Sequence, residues 1–320
     1  MGAVYEATEL EGGARRALKV MSAKLHGNKK ALHRFEREAR LGKMIPSRGV
    51  AHTLATGVDP RTNLRWIAME FIEGPTLVQW LAQTQPSPES VRSVIQQLLR
   101  AVAAAHSVGV VHRDLKPGNI LIAEAAPGAA NAAEPGVKVL DFGIAKSIRS
   151  NTGATTQEGL GTPLWTAPEQ GVAGHAPAPS ADVWALGLLV FYLLTGKYYW
   201  LSANREGPLA EMVIELMRRP IAAASKRAAE LDCAERVPPG FDAWFARCVV
   251  RDPHRRFTNA GEALDGLARV LGLKARRSGV WARLRTLRRL AALRPGMGVA
   301  VLAVALTIAL AAAWLLAHLR

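Results

Sequence analysis

The chain has 320 residues, 49% of them hydrophobic, two cysteines and a formal net charge of +15. That is enough apolar material for a large core and more than one lobe. Two cysteines exclude a disulfide framework and suit reducing cytosol, and neither Cys233 nor Cys248 has the spacing of a zinc ligand.

In chain order, residues 1–72 read as short strands around one helix. Ala17-Leu18-Lys19-Val20 and Arg65-Trp66-Ile67-Ala68-Met69 are strand-like, while 29–44 is charged and helix-forming. Residues 70–75 end in Gly-Pro and form a connector. The pattern beyond it is mainly helical. Ser87-Pro88-Glu89 is a helix start with a capping serine and proline at the first helical position. Val91, Val94, Leu98, Val102 and Ala105 then mark one buried face.

His112-Arg113-Asp114-Leu115-Lys116-Pro117-Gly118-Asn119 follows, and Asp141-Phe142-Gly143 comes 22 residues after Asn119. Together they offer a base, a cation and two hard oxygen ligands, the parts that phosphoryl transfer from ATP requires. Between them, 123–136 is rich in Ala, Gly and Pro and reads as a surface loop between short strands. Gly161-Thr162-Pro163-Leu164-Trp165-Thr166-Ala167-Pro168-Glu169 comes next. Ser180 then opens a helix whose run 183–194 is apolar on nearly all sides; twelve residues are too few to span a membrane, so it belongs at the centre of a lobe.

The basic charge belongs mainly to the end of the chain. Nine Lys/Arg and no acids fall in 274–320, which leaves +6 of the +15 for residues 1–273. Residues 274–296 interleave Arg and Lys with Trp281, Leu284, Leu287 and Leu290, and 297–317 then runs 21 residues without a charge. As a helix that run would be about 30 Å long, enough to cross a bilayer. The expectation is a single-pass anchor in the cell membrane, with the Arg-rich flank and the preceding residues cytoplasmic. Almost no extracytoplasmic tail would remain, since only His318, Leu319 and Arg320 follow the span. Beside a span, the basic stretch fits anionic membrane lipid, at roughly 1 kcal/mol per Lys/Arg, better than nucleic acid. Gly298, Ala300, Ala303 and Ala305 would let two spans pack closely as a homodimer.

With these motifs in this order, residues 2–272 resemble the eukaryotic-like serine/threonine protein kinases of bacteria. The resemblance implies an α+β, bilobal protein-kinase fold: a small β-rich N-lobe over 1–72 and a helical C-lobe over 73–273, with one transmembrane helix added here. It implies ATP and magnesium, or manganese in its place, as cofactors. The partners would be protein substrates with Ser/Thr hydroxyls, and the peptide-docking stretch 161–169 argues against a small-molecule kinase. Asp114 would accept the substrate hydroxyl's proton, with Lys116 beside the transferring group and Thr162 in contact with both. Asn119 and Asp141 would hold the metal. Lys19 would pair the α/β-phosphates and Glu38 would be its partner, because Glu36 lies about 200° around the helix. Val4, Ala17 and Leu121 would wall the adenine, with Met69 as gatekeeper and the Glu70 and Ile72 backbones bonding the base.

Glu169 and Arg256, the latter in Asp252-Pro253-His254-Arg255-Arg256-Phe257, would form a structural ion pair. Asp182 would anchor the catalytic loop, and Trp165 replaces the family's usual Tyr. Arg113 would read a phosphate on the activation loop, at Thr156 first and Thr155 second, placed there by autophosphorylation. The family's glycine-rich loop GxGxxGxV is matched only at its end, by Gly2 and Val4. The expectation is an N-lobe without its first strand, from a start placed too late or from truncation into an inactive kinase-like scaffold. The late start is favoured, because every downstream catalytic residue is intact.

Overall fold

The structure is a computed structural model, and it describes residues 2–25, 27–123, 136–142, 163–172, 178–205 and 208–273. Gly143, Thr155, Thr156 and Thr162 lie outside the described residues, as do residues 124–135 of the expected loop, the basic stretch 274–296 and the expected span at 297–317. Among the described residues, no helix is long and apolar enough to cross a membrane.

Met1–Leu273 is one compact unit. Its first part is a four-stranded antiparallel sheet of β1 (Gly2–Thr8), β2 (Arg15–Met21), β3 (Thr53–Val58) and β4 (Arg65–Glu70), in the order β1-β2-β4-β3. β2 and β4 are the two strands expected from the sequence. β1 and β3 are additional: residues 2–8 form a complete strand, paired from Gly2↔Met21 to Thr8↔Arg15. Val4 sits opposite Lys19 across this ladder, and Ala17 sits opposite Met69 across the next.

Helix α1 (Lys29–Met44) packs beside this sheet. Asn28 caps it, its side chain accepting the Ala31 N–H at 3.1 Å. Gly42 is buried in its last turn, where an added Cβ would stand 2.3 Å from Thr53 Oγ1. That close approach brings α1 down onto β3 and sets the height at which Glu38 faces the sheet.

The connector leads into α2 (Leu77–Thr84), capped by a reciprocal Thr76–Gln79 box that was not expected. Helix α3 (Pro88–Ser107) starts as its sequence implies, with Ser87 accepting the Ser90 N–H at 3.2 Å and Pro88 in the first turn. Strands β5 (Ile120–Ala123) and β6 (Gly136–Val139) form a separate antiparallel pair, Leu121 opposite Lys138. Backbone bonds from Val139 N–H to Gly49 O (2.8 Å) and Ala51 N–H to Val139 O (3.0 Å) tie β6 to the segment after α1.

Helix α4 (Pro179–Thr195) is buried on every side. Its start differs from the sequence expectation: Ala178 holds the cap position, Pro179 opens the first turn, and Ser180 is a buried residue inside it with no capping bond. Proline with its fixed φ replaces the hydroxyl as the start signal. Five further helices complete the described residues: α5 (Leu201–Asn204), α6 (Leu209–Arg218), α7 (Ala224–Ala229), α8 (Phe241–Ala246) and α9 (Ala260–Leu271).

Gly187 shows how tightly α4 is enclosed, since a Cβ there would lie 2.6 Å from Cys248 Cβ and 2.7 Å from Val249 Cγ2. A helical Gly→Ala change ordinarily gains up to about 1 kcal/mol. Overpacking a closed core costs about 1–3 kcal/mol. Gly187→Ala is therefore expected to be net destabilising, read as a lower denaturation midpoint; a variant as stable as wild type contradicts this packing.

Candidate active site

Three elements bring their charged ends together. Lys19, buried on β2, is ion-paired to Glu38 of α1 and lies 3.1 Å from Asp141 Oδ1, two residues past β6. Glu36 points elsewhere and pairs with Arg65 at 2.8 Å. Burial by itself lowers the Lys19 pKa, but the charges of Asp141 and Glu38 more than offset that and raise it. Glu38 is also raised: burial and the second carboxylate outweigh its one cation. The two directions agree, because Lys19 faces two anions while Glu38 faces one cation and one anion. A further positive charge in this cluster would be favourable.

The loop 112–119 is held from below by α4. Asp182, 1% exposed, accepts Arg113 N–H on Oδ1 (2.8 Å) and His112 N–H on Oδ2 (2.7 Å). His106 Nε2 donates to the same Oδ2 at 2.8 Å, while its Nδ1 accepts Ala260 N–H at 3.0 Å, which fixes the neutral tautomer. Burial alone would raise the Asp182 pKa; the hydrogen bond from His106, together with the His112 backbone donor, holds it low. Arg113 takes a left-handed φ of 70°, and its carbonyl accepts Gln170 Nε2 at 2.8 Å.

Next to it, Asp114 Oδ2 is 3.1 Å from Lys116 Nζ and 3.2 Å from Asn119 Nδ2, and Asn119 Nδ2 also donates to the Asp114 carbonyl at 2.8 Å. Both hydrogen bonds come from the Asn119 amide nitrogen, so its side-chain oxygen is not used in them. Asp141 has φ 43° and is partly open to solvent. Carboxylate and amide oxygens such as these are ligands of the kind a hard divalent cation takes. Phe142 packs on His112 with ring centroids 4.7 Å apart, and His112 Nε2 donates to Leu140 O at 2.8 Å.

The adenine-wall candidates lie along β1, β2, β4 and β5. Ala17, Met69, Ile72 and Leu121 are half-buried, while Val4 on the outer strand is exposed. Glu70 closes β4, and its carboxylate does more than the sequence indicates. Oε1 accepts His52 N–H at 2.9 Å, and both oxygens take Lys138 Nζ at 2.7 Å. Glu169 is held by a bidentate pair with Arg256 at 2.6 and 2.8 Å. Arg256 also donates to the Val250, Ser180 and Arg251 carbonyls and lies over the Trp184 ring. His106, Lys138 and Gln170 were not picked out from the sequence; each acts on a residue at least 57 positions away, so no local spacing marks it.

Residues 1–266 match the protein kinase domain family. The chain is similar to the serine/threonine-protein kinase PknL of Mycobacterium bovis, 33% identical over 261 residues, covering 80% of this chain and 60% of that protein. It is similar to the serine/threonine-protein kinase Pkn1 of Myxococcus xanthus, 37% identical over 222 residues, covering 69% of this chain and 30% of that protein. The chain thus spans 60% or less of these relatives. Among solved structures, the Mycobacterium tuberculosis PknI kinase domain shares the fold, with a TM-score of 0.58, 23% identity, and coverage of 84% of this chain and 90% of that one.

Burial holds the His112 pKa below its ordinary value, against the pull of Asp182. Folding thus weakens proton binding, so the unfolded chain takes up the proton first on acidification. The stability His112 contributes is complete above about pH 6.5 and is lost as pH falls through that value. Unfolding free energy is expected to drop through this group as the pH falls from about 7.5 to about 5.5. Denaturant titrations at both pH values, compared with His112→Gln, should show the shallower slope in the variant; equal slopes would exclude His112 as the cause.

Proposed function

This chain belongs to the protein kinase family, and on that premise we propose that it is a serine/threonine protein kinase acting on protein hydroxyls with ATP. The observation that carries the proposal is the meeting of Lys19, Glu38 and Asp141 beside a catalytic loop that presents Asp114, Lys116 and Asn119. Similarity to PknL and Pkn1, both serine/threonine-protein kinases, supports the serine/threonine class.

Lys19, fixed by Glu38, binds the α- and β-phosphates and holds the nucleotide in register. Val4, Ala17, Met69 and Leu121 enclose the base, and the Glu70 and Ile72 backbones orient it. Asp114 accepts the proton of the substrate hydroxyl as that oxygen bonds to the γ-phosphorus. The bond to the β–γ bridging oxygen breaks, and its electrons leave with ADP. Lys116, with Thr162, steadies the transferring group. Asn119 and Asp141 fit a divalent ion, magnesium or manganese, which when bound neutralises charge on the phosphate oxygens.

Activation follows from Arg113. Its pKa is held low by burial and by the nearby charge of Arg37, with Asp182 opposing. Two guanidinium groups that repel each other favour an added anion, and a phosphate on Thr156, or secondarily Thr155, supplies one by autophosphorylation. We place the chain at the membrane through 297–317, with 274–296 against anionic lipid and the kinase unit cytoplasmic; the uncharged run and its Arg-rich flank support this. The small residues of that run are the basis for pairing with a second copy.

Asp114→Asn is expected to lower phosphotransfer from ATP to dephosphorylated casein by about 10²–10⁴-fold. In the same reactions, phosphopeptide mapping should find Thr156 or Thr155 modified in wild type and neither in the variant. A wild-type chain that transfers no phosphate would point to an inactive scaffold. For the anchor, alkaline carbonate extraction of membranes from cells making the full chain should leave it in the pellet. Release into the supernatant would rule out a span.

A further inference from the structure

The indole N–H of Trp200 donates to the Leu164 carbonyl at 2.9 Å, in a site where both residues are buried. Leu164 lies two residues after Thr162 and five before Glu169. Its carbonyl would otherwise be a buried acceptor without this donor, a costly state. Trp200 is itself held from two directions. Its ring stacks on Trp184 of α4 with centroids 6.2 Å apart. Its flanking backbone is pinned by two side chains: Asn204 Nδ2 donates to the Tyr198 and Trp200 carbonyls, and the buried Glu215 carboxylate accepts the Leu201 and Ser202 N–H groups. Trp165, one residue after the bonded carbonyl, meets Tyr192 and Tyr198 edge-on at 5.8 and 6.0 Å.

We propose that Trp200 is a positioning residue for the acceptor protein, acting by its N–H through the Leu164 carbonyl on the surface that receives the substrate chain. The proposal rests on the kinase reading given above. Asp114 can take a proton only from a hydroxyl within hydrogen-bond reach, so the polypeptide carrying that hydroxyl must rest on the surface beside it. Segment 163–171 is tied to that place by Gln170, whose side chain bonds the carbonyl of Arg113, the neighbour of Asp114. Phenylalanine at position 200 would keep the ring stack and lose the donor. The segment would then be held at Glu169 and Gln170 but released at Leu164, which shifts acceptor placement and leaves the nucleotide site alone.

Tyr199 supplies the control. Its hydroxyl also bonds a backbone carbonyl, Ala222 O at 2.8 Å, but that bond leads away from 163–171. Trp200→Phe is expected to raise KM for dephosphorylated casein about fivefold or more, with KM for ATP within twofold of wild type; Tyr199→Phe should change neither. A Trp200→Phe enzyme with an unchanged casein KM overturns the proposal. So does a parallel rise in both constants, or the same split from Tyr199→Phe. If wild type itself transfers no phosphate, the kinase reading fails, and hydrogen exchange then tests the placement separately. Amides of 164–171 should exchange about tenfold faster in Trp200→Phe and not in Tyr199→Phe, and equal protection in all three proteins overturns the role of Trp200.

Discussion

A carboxylate with no water around it must be given donors by the protein or give up its charge. Asp182 receives them from three groups, the His112 and Arg113 backbones and the His106 ring. The arrangement constrains both sides. Two consecutive backbone N–H groups can converge on one carboxylate only if the chain turns sharply there, and Arg113 does so at a φ that most residues avoid. That turn aims Asp114 away from the core and toward Lys116 and Asn119. Removing Asp182 would therefore leave three donors unpaired and remove the reason for the turn. The loop 112–119 has its shape because α4 carries a buried carboxylate.

The other half of the site depends on a buried cation. Two carboxylates from separate elements pair with Lys19 and raise its pKa, so the cluster forms only where α1 and the residues after β6 both reach β2. Gly42 permits that placement by letting α1 lie against Thr53, and the bonds between Val139 and residues 49–51 tie β6 to the end of the same helix. The Lys138–Glu70 pair adds a link between β6 and the strand that leads into the connector. Lys19, Glu38 and Asp141 are far apart in sequence, yet a shift in any one of these elements would move all three.

Elements with a strong local signal were legible. The bounds of α1, the Ser87 cap of α3 and the all-round apolar run of α4 could be read because each follows from a repeat or a cap within a few residues. β1 and β3 could not, since their side chains are mostly exposed and show no alternation of apolar and polar positions. The motif residues were legible as chemistry, and the structure brings Lys19, Glu38 and Asp141 to one point and Asp114, Lys116 and Asn119 to another. What the sequence hides is the support around them. His106, Lys138, Gln170 and Trp200 are ordinary residues in their own neighbourhoods, and each becomes distinctive only through a partner that the fold supplies.

Helix α4 explains why support for the catalytic loop and for segment 163–171 is shared. Asp182 and Trp184 are two residues apart, so they project about 200° apart around the helix axis. One side reaches His106, His112 and Arg113; the other carries the ring on which Arg256 and Trp200 rest. A helix with one wet face could serve only one of these groups. Burial on every side lets α4 fix the loop that bears Asp114 and, through Glu169 and Leu164, the segment that follows Thr162. Arginine suits position 256 because its planar fork bonds Glu169 twice while the remaining donors reach three carbonyls, which a lysine could not match. The loop 112–119 and the segment 163–171 thus draw their support from one buried helix.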